Sequence, residues 1–296
     1  MGGQATRRGR LRPYVLAVPA VVVCAGILYP FFVGVGYTLF NFSDVNPQPS
    51  FVGLQNFADI LGSGTFWHSA WVTSLYTIMA TGIETVLGVG IALLLYRSTL
   101  VGRLLERVLI VPLMVAPIIA AIMWKLFLLP EIGWVRPIVA TFGWQGYSGT
   151  DSPFWAFTWS VVVDVWLYTP FVAVIALAGL RSLPGSPFEA AAVDGAGWWF
   201  TFRRLTLPML WPYILLAVIF RSMDCLKMFD IIYGLTTGGP GDATTTVQIS
   251  AYLEAITYAR YSRGMTFMIV LWAAVFAISF VLVRYLSKVQ RRAAEV

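Results

Sequence analysis

The sequence predicts an all-α integral membrane protein with about six transmembrane helices. Three observations predict it. The first is composition: of 296 residues, 58% are hydrophobic and only 11% charged, against about a quarter charged in a soluble domain. So few charges cannot cover a water-facing surface. The second is the length of the uncharged runs. Residues 13–43 and 264–283 contain no Asp, Glu, Lys or Arg, and about 20 apolar residues suffice to cross the hydrocarbon core at 1.5 Å per helical residue. The third is the placement of basic residues, which sort by loop.

The candidate spans are 13–40, 70–96, 107–129, 155–180, 209–232 and 264–286. The third is crowded by Pro112 and Pro117, and a kink is expected there rather than a break, because neighbouring helices can satisfy freed backbone groups. With the N-terminus inside, the inner loops and tails hold Arg7, Arg8, Arg10, Arg12, Arg97, Arg103, Arg107, Arg181, Arg203, Arg204, Arg284, Lys288, Arg291 and Arg292, which is 14 of the 20 basic residues. The outer side holds Lys125, Arg136, Arg260 and Arg263. Basic residues favour the cytoplasmic loops, so both termini are expected in the cytoplasm. Topology, not nucleic acid, then accounts for the net charge of +6. The arginines ahead of the first span imitate a signal peptide, but the apolar stretch is too long and lacks a small-residue cleavage site. The expected organisation is a cytoplasmic tail over 1–12, a transmembrane domain over 13–286 and a cytoplasmic tail over 287–296.

Outer segments 41–69 and 130–154 are rich in turn-forming residues. Trp144 and Tyr147 in the second suit an aromatic belt at the membrane boundary. Cys24 and Cys225 fall within spans and form no CxxC pair, so packing is their expected role. With His68 the single histidine, a histidine metal cluster is excluded, and no metal site is expected.

The inner segment 183–208 is unlike an ordinary connector. Ser186-Pro187 before Phe188-Glu189 reads as a helix start, with Ser186 as N-cap and proline at the first helical position. Gly195 or Gly197 can supply a left-handed stop. Between them lie Ala190, Ala191 and Ala192, small enough to let a partner surface approach closely. The spacing is Glu-Ala-Ala, three residues, Gly, nine residues, then Leu205-Thr206-Leu207-Pro208.

This pattern resembles the EAA loop of ABC importer permeases, with Leu205 where the family usually has Ile. The resemblance implies the type I ABC importer permease fold in a bacterial or archaeal plasma membrane. It also implies a coupling helix seated in a cleft of an ATPase subunit. Glu189, Ala190, Ala191, Asp194, Gly195 and Pro208 are its expected coupling residues. The implied partners are a second homologous permease, two ATPase subunits or domains, and an extracytoplasmic substrate-binding protein. ATP and Mg would be bound by the ATPase partners. This chain has no GxxxxGK[ST] phosphate loop, so no cofactor and no enzymatic activity of its own are expected.

The segment Phe229-Asp230-Ile231-Ile232-Tyr233-Gly234-Leu235-Thr236-Thr237-Gly238-Gly239-Pro240, with Thr244, Thr245 and Thr246 beyond it, resembles the first permease subunit of the maltose-type carbohydrate importers. Gly238-Gly239-Pro240 is a turn signal, readable either as a structural re-entry loop or as a functional one. The chain is too short for the extra spans of the maltose protein and resembles the smaller sugar, polyol and glycerol-phosphate relatives.

Charges inside spans are costly and usually face a pathway or a partner. Glu84 lies in the second span, Asp164 in the fourth, and Arg221, Asp224 and Lys227 in or near the fifth, with Asp230 at its outer end. Arg221 and Asp224, and Asp224 and Lys227, stand three apart and can pair on a helix. Asp164, Tyr168 and Phe171 form one helical stripe, a carboxylate beside rings that suits a sugar. The resemblance puts a sugar site between the helices flanking the EAA loop. Its positions there are Asp164, Leu167, Tyr168 and Phe171 on one side and Arg221, Cys225 and Met228 on the other, and Asp224 beside them is a further pathway candidate as a charge within the span. The same charges can equally form a structural network between helices, and Glu84 reads as structural. An ion-gradient-driven secondary transporter is the alternative function. It would use these charges as a proton relay, but it leaves the EAA loop without a role, and the internal repeats common in such folds are absent from the sequence.

Overall fold

The chain is described by a computed structural model over residues 7–44, 46–96, 100–143 and 146–294. Arg97 and Trp144, placed above in inner and outer loops, lie outside the described residues, as do residues 1–6 and 295–296 of the tails. The side chains of Arg7, Arg8, Arg10, Arg12, Arg103 and Arg292 are also outside the description. Nearly all regular structure is helical. The chain divides into two units, residues 1–63 with 251–269, and residues 64–250 with 270–296.

In the first unit, helix α1 (Arg7–Thr38) runs into a hairpin of β1 (Phe40–Ser43) and β2 (Asn46–Phe51), followed by α2 (Gln55–Leu61). The sequence suggested only turns here. The strands pair antiparallel, with Phe40 opposite Phe51 and their rings edge to face at 5.5 Å. Such a cross-strand aromatic pair stabilises a short ladder. Pro47 and Pro49 sit in β2, as an edge strand permits. The buried Asn56 amide donates to the carbonyls of Thr38 at 2.8 Å and Phe40 at 2.9 Å, which closes the exposed carbonyl end of α1. Glu254, in a π-helical turn over Leu253–Thr257, pairs with Arg260 and Arg263 at 3.6 and 3.4 Å.

The second unit holds three of the long apolar helices and most of a fourth. Helix α3 (Gly64–Leu95) packs along most of its length on α7 (Pro153–Ser182), and α10 (Leu207–Leu226) lies against both. Between α3 and α7 come α4 (Leu100–Leu109), α5 (Pro117–Leu128) and α6 (Val135–Thr141). Helices α8 (Ser186–Val193) and α9 (Trp198–Thr201) follow α7. Beyond α10 are α11 (Asp230–Thr236), α12 (Val247–Tyr252), whose end belongs to the first unit, and α13 (Tyr261–Ala294), which begins in the first unit and continues in the second. Among the described residues, five helices are long and apolar enough to cross a membrane, or six if the bent pair Leu104–Met114 and Pro117–Leu128 counts as one. Gly88 shows why α3 and α7 lie so close. A Cβ there would stand 2.7 Å from the Val172 side chain, and small residues let helix backbones approach in membranes, where dispersion rather than hydrophobic expulsion drives packing.

Three expectations need correction. The third span is broken rather than kinked: its halves meet at 95°. A 3-10 turn over Pro112–Met114 ends in extended backbone at Val115 and Ala116, because the ring of Pro117 drives the preceding residue out of the helical region. The fifth span stops at Leu226, and Asp230 opens a separate helix, α11. No proline forces that stop. Instead Gly234 of α11 seats on Ala121 and Ile118 of α5, so tertiary packing turns the chain. Ser186 is the first residue of α8 rather than its cap, and Pro187 the second. Gly185 holds the cap position with no side-chain hydrogen bond, its carbonyl accepting from Phe188 and Glu189 N–H at 3.0 Å.

At the boundary of α5, α6 and α7 the aromatic residues gather. Trp124 lies 6.2 Å from Trp159 and 5.8 Å from Trp166. The Tyr147 hydroxyl donates to the Leu128 carbonyl at 3.1 Å, and burial pushes that phenol up to about 12.

Candidate functional site

Two places carry the chemistry the sequence singled out. The first is the segment after α7. Glu189 and Ala190 are exposed on α8 and Asp194 is exposed at its C-cap, with Ala191 half-buried. The exit of this helix is built as a Schellman turn. Ala196 N–H donates to Ala191 O at 2.9 Å, Gly195 N–H to Ala192 O at 3.2 Å, and Gly195 takes φ +71°. That left-handed backbone is open to glycine at little cost. Gly197 is extended instead, with φ −69°, so Gly195 is the stop. The rings beyond are uncovered: Trp198 is 71% exposed and stacks on Phe202 at 5.7 Å. Pro187, Ala190, Ala191, Asp194, Ala196, Gly197, Phe200 and Leu205 together line an open depression of about 560 Å³. Pro208 sits at the head of α10, exposed, beside Met209 and Pro212. The short helix α8 thus carries alanines and an exposed acid, and bare aromatic rings follow it in α9.

The second place lies between α3, α7 and α10. Arg221 of α10 is wholly buried, with Glu84 of α3 and Asp164 of α7 each 0% exposed beside it. Its Nε donates to Glu84 Oε2 at 2.6 Å, and its Nη2 donates to Glu84 Oε1 at 2.9 Å and to Asp164 Oδ2 at 3.1 Å. The fork of a guanidinium matches a carboxylate two bonds at a time, and charge strengthens each. The guanidinium also lies 3.9 Å over the Tyr168 ring. Cys225 accepts from Arg221 Nη2 at 3.3 Å and from Thr81 at 3.6 Å. The buried Tyr76 side chain lies against Asp164. Glu84, Asp164 and Cys225 bring three possible metal-ligating atoms within 4.8 Å, but the cation among them is Arg221.

The residues expected along a pathway therefore separate. Asp164, Leu167, Arg221, Cys225 and Met228 are buried, whereas Tyr168, Phe171 and Asp224 are half-exposed. Asp224 stands 3.8 Å from Arg221 and 3.3 Å from Lys227, so both i,i+3 pairs exist. Glu84, read from the sequence as structural, is the principal partner of Arg221. Sequence reasoning missed that pairing, since 137 residues separate the two. The one available signal was an acid and a base each stranded in an apolar span.

The glycine-proline turn is stitched by threonines. Thr236 and Thr244 hydroxyls meet at 2.6 Å, Thr244 donates to Gly239 O at 3.0 Å, and Thr245 donates to Gly238 O at 2.8 Å. The hydroxyl of Thr73 on α3 accepts from Val247 N–H at 3.0 Å. The turn is thus anchored to the bundle.

Fold and site together define a mostly helical, multi-pass membrane permease. The family model described as "Binding-protein-dependent transport system inner membrane component" matches residues 84–292, and the chain belongs to that family, the permease subunits of ABC importers. The chain is 39% identical over 207 residues to the trehalose/maltose transport system permease protein of Thermococcus litoralis, covering 70% of each chain. It is 31% identical over 277 residues to the sulfoquinovosyl glycerol transport system permease protein of Agrobacterium fabrum, covering 93% of this chain and 90% of that one. In fold it is similar to a chain of a bacterial ABC transporter for the acidic polysaccharide alginate, with a TM-score of 0.79 at 21% identity over 96% of both.

Proposed function

We propose that this permease forms half of the translocation pathway for a carbohydrate-class cargo, a sugar, polyol or sugar phosphate, and transmits the motion of ATPase partners to it. The observation that carries the reading is α8: a Glu-Ala-Ala helix with Glu189 and Ala190 exposed, stopped at Gly195 and followed by bare aromatics. In this scheme α8 seats in a cleft of an ATPase subunit. Glu189 makes the polar contact, Ala190 and Ala191 allow close approach, Asp194 and Gly195 shape the exit, and Pro208 fixes the head of α10. The carbohydrate class is supported by relatives named for trehalose, maltose and sulfoquinovosyl glycerol.

The partners of this scheme are a second homologous permease, two ATPase subunits and an extracytoplasmic binding protein. ATP and Mg belong to the ATPase partners. This chain's own part is mechanical, converting displacement of α8 into displacement of α7 and α10, which flank it in sequence and meet along the bundle. Glu189→Lys tests the reading. The variant should insert and fold, yet lose co-purification with the ATPase or lose uptake by at least about tenfold, as expected for reversing a charge at a buried contact. Retention of both would exclude α8 as the coupling element.

A further inference from the structure

We propose that the inner end of this permease binds an acidic phospholipid. One acyl chain lies in an apolar groove beneath the segment that follows α7, and the phosphate rests on Arg203 and Arg204. The site goes beyond the proposed function and does not depend on what α8 contacts.

The groove is a space of about 760 Å³ between the ends of α3 and α7 and the segment after them. That falls within the range of about 300–1,000 Å³ usual for ligand sites. Leu93 and Tyr96 of α3, Leu180 and Leu183 at the end of α7, and Trp198 and Phe202 beyond it form its walls. Two threonines add hydroxyls to the wall, but both are engaged: Thr201 donates to Gly197 O at 3.2 Å and Thr206 to Thr201 O at 3.4 Å. What remains is hydrocarbon and ring surface, which suits an acyl chain and offers a polar cargo little. Leu94, on the same wall, is 79% exposed. A leucine that open in the last turn of a span has lipid tails as suitable neighbours. Tyr96, Trp198 and Trp199 are exposed close by, and Tyr and Trp gather where a span meets the headgroups.

Charge selects the headgroup. Arg203 and Arg204 stand in the π-helical turn Phe202–Thr206, between two residues of the groove wall. Both are exposed, and neither forms an ion pair among the described residues. Arg181 at the end of α7 differs, since Glu106 holds its guanidinium through two bonds at 3.1 and 2.9 Å. The acids of the segment point elsewhere. Asp194 lines the separate depression with Pro187 and Ala191, and the Glu189 carboxylate turns back toward Gly185. Arginine stems can lie along apolar surface with their heads at the water, and a guanidinium fork matches phosphate two bonds at a time. Basic pockets on the cytoplasmic side of helix bundles take acidic headgroups in this way. A free anion would use the arginines and leave the groove unfilled. A neutral lipid would fill the groove and leave the arginines unpaired. An acidic phospholipid satisfies both.

The test is native mass spectrometry of the assembled transporter, from micelles doped with phosphatidylglycerol or with phosphatidylcholine of the same acyl chains. The parent should retain phosphatidylglycerol on the order of tenfold more than phosphatidylcholine, the bias expected of two basic residues at a membrane surface. Arg203→Gln with Arg204→Gln should abolish that preference, and Arg203→Lys with Arg204→Lys should keep most of it. Leu94→Trp, which fills the groove with both arginines intact, should lose the retained phosphatidylglycerol. If the glutamine pair does not assemble, the lysine pair and Leu94→Trp carry the test.

Equal retention of the two lipids by the parent overturns the proposal. So does a glutamine pair that keeps the preference, or a lysine pair that loses it. A Leu94→Trp transporter that keeps its phosphatidylglycerol also overturns it, and loss of the ATPase from that variant would then assign the groove to protein.

Discussion

Replacing Arg221 by Met removes the cation held between two enclosed carboxylates. The guanidinium makes three charge-assisted hydrogen bonds to Glu84 and Asp164, at 2.6, 2.9 and 3.1 Å. Neither acid has any exposure through which water could take over. Removing one partner of a buried pair costs about 3–5 kcal/mol, because a charge is left uncompensated. That is a loss on the order of 10²–10⁴-fold in the folded-to-unfolded ratio. The cost lies in the orphaned acids rather than in the lost bonds, which sets the control. The triple variant Glu84→Met, Asp164→Leu, Arg221→Met removes all three charges, and replacing a buried ion network by apolar groups is often neutral or stabilising. Thermal survival of the purified transporter, followed by fluorescence-detected gel filtration, should show the single variant melting well below the parent and the triple variant recovering most of the loss. A single variant that survives like the parent would refute the reasoning, and a triple variant as weak as the single would show that shape rather than charge holds the three helices.

Two further outcomes follow from the packing. Gly88→Val would place side-chain atoms against Val172, whose Cβ is already 2.7 Å from the added Cβ position, and against Ala173 N at 3.0 Å. Overpacking of this kind costs about 1–3 kcal/mol, so the same thermal assay should show a lower midpoint, and an unchanged one would mean that α3 and α7 can part freely. Asn56→Leu strands the carbonyls of Thr38 and Phe40, a loss of about 1–3 kcal/mol. Amide hydrogen exchange across 38–56 should speed by about tenfold or more, and unchanged exchange would show the hairpin to be held by other contacts.

Much of this protein is legible in one dimension. The bilayer demands about 20 apolar residues per crossing whatever the neighbours are, so composition and uncharged runs suffice to find α1, α3, α7, α10 and α13. The EAA segment is legible for a related reason. Its helix, its small residues and its glycine stop are local features, and hydrogen bonds between residues a few apart build them. Gly195 was one of two offered stops, and only backbone geometry chose it over Gly197.

What the tertiary structure alone decided is where distant residues meet. Pro117 could kink or break the third span, and the 95° turn came from having no helical path through Ala116. The fifth span ended early because α11 had a seat on α5, a contact invisible in the residues that end α10. The sequence showed Glu84, Asp164 and Arg221 only as expensive charges in three separate spans. Their pairing needed three helices to converge, and no one span's residues show where the other two will lie. With it came the distinction between a buried Arg221 and a half-open Asp224. Hydropathy could not draw that line, because burial belongs to the bundle and not to any one helix.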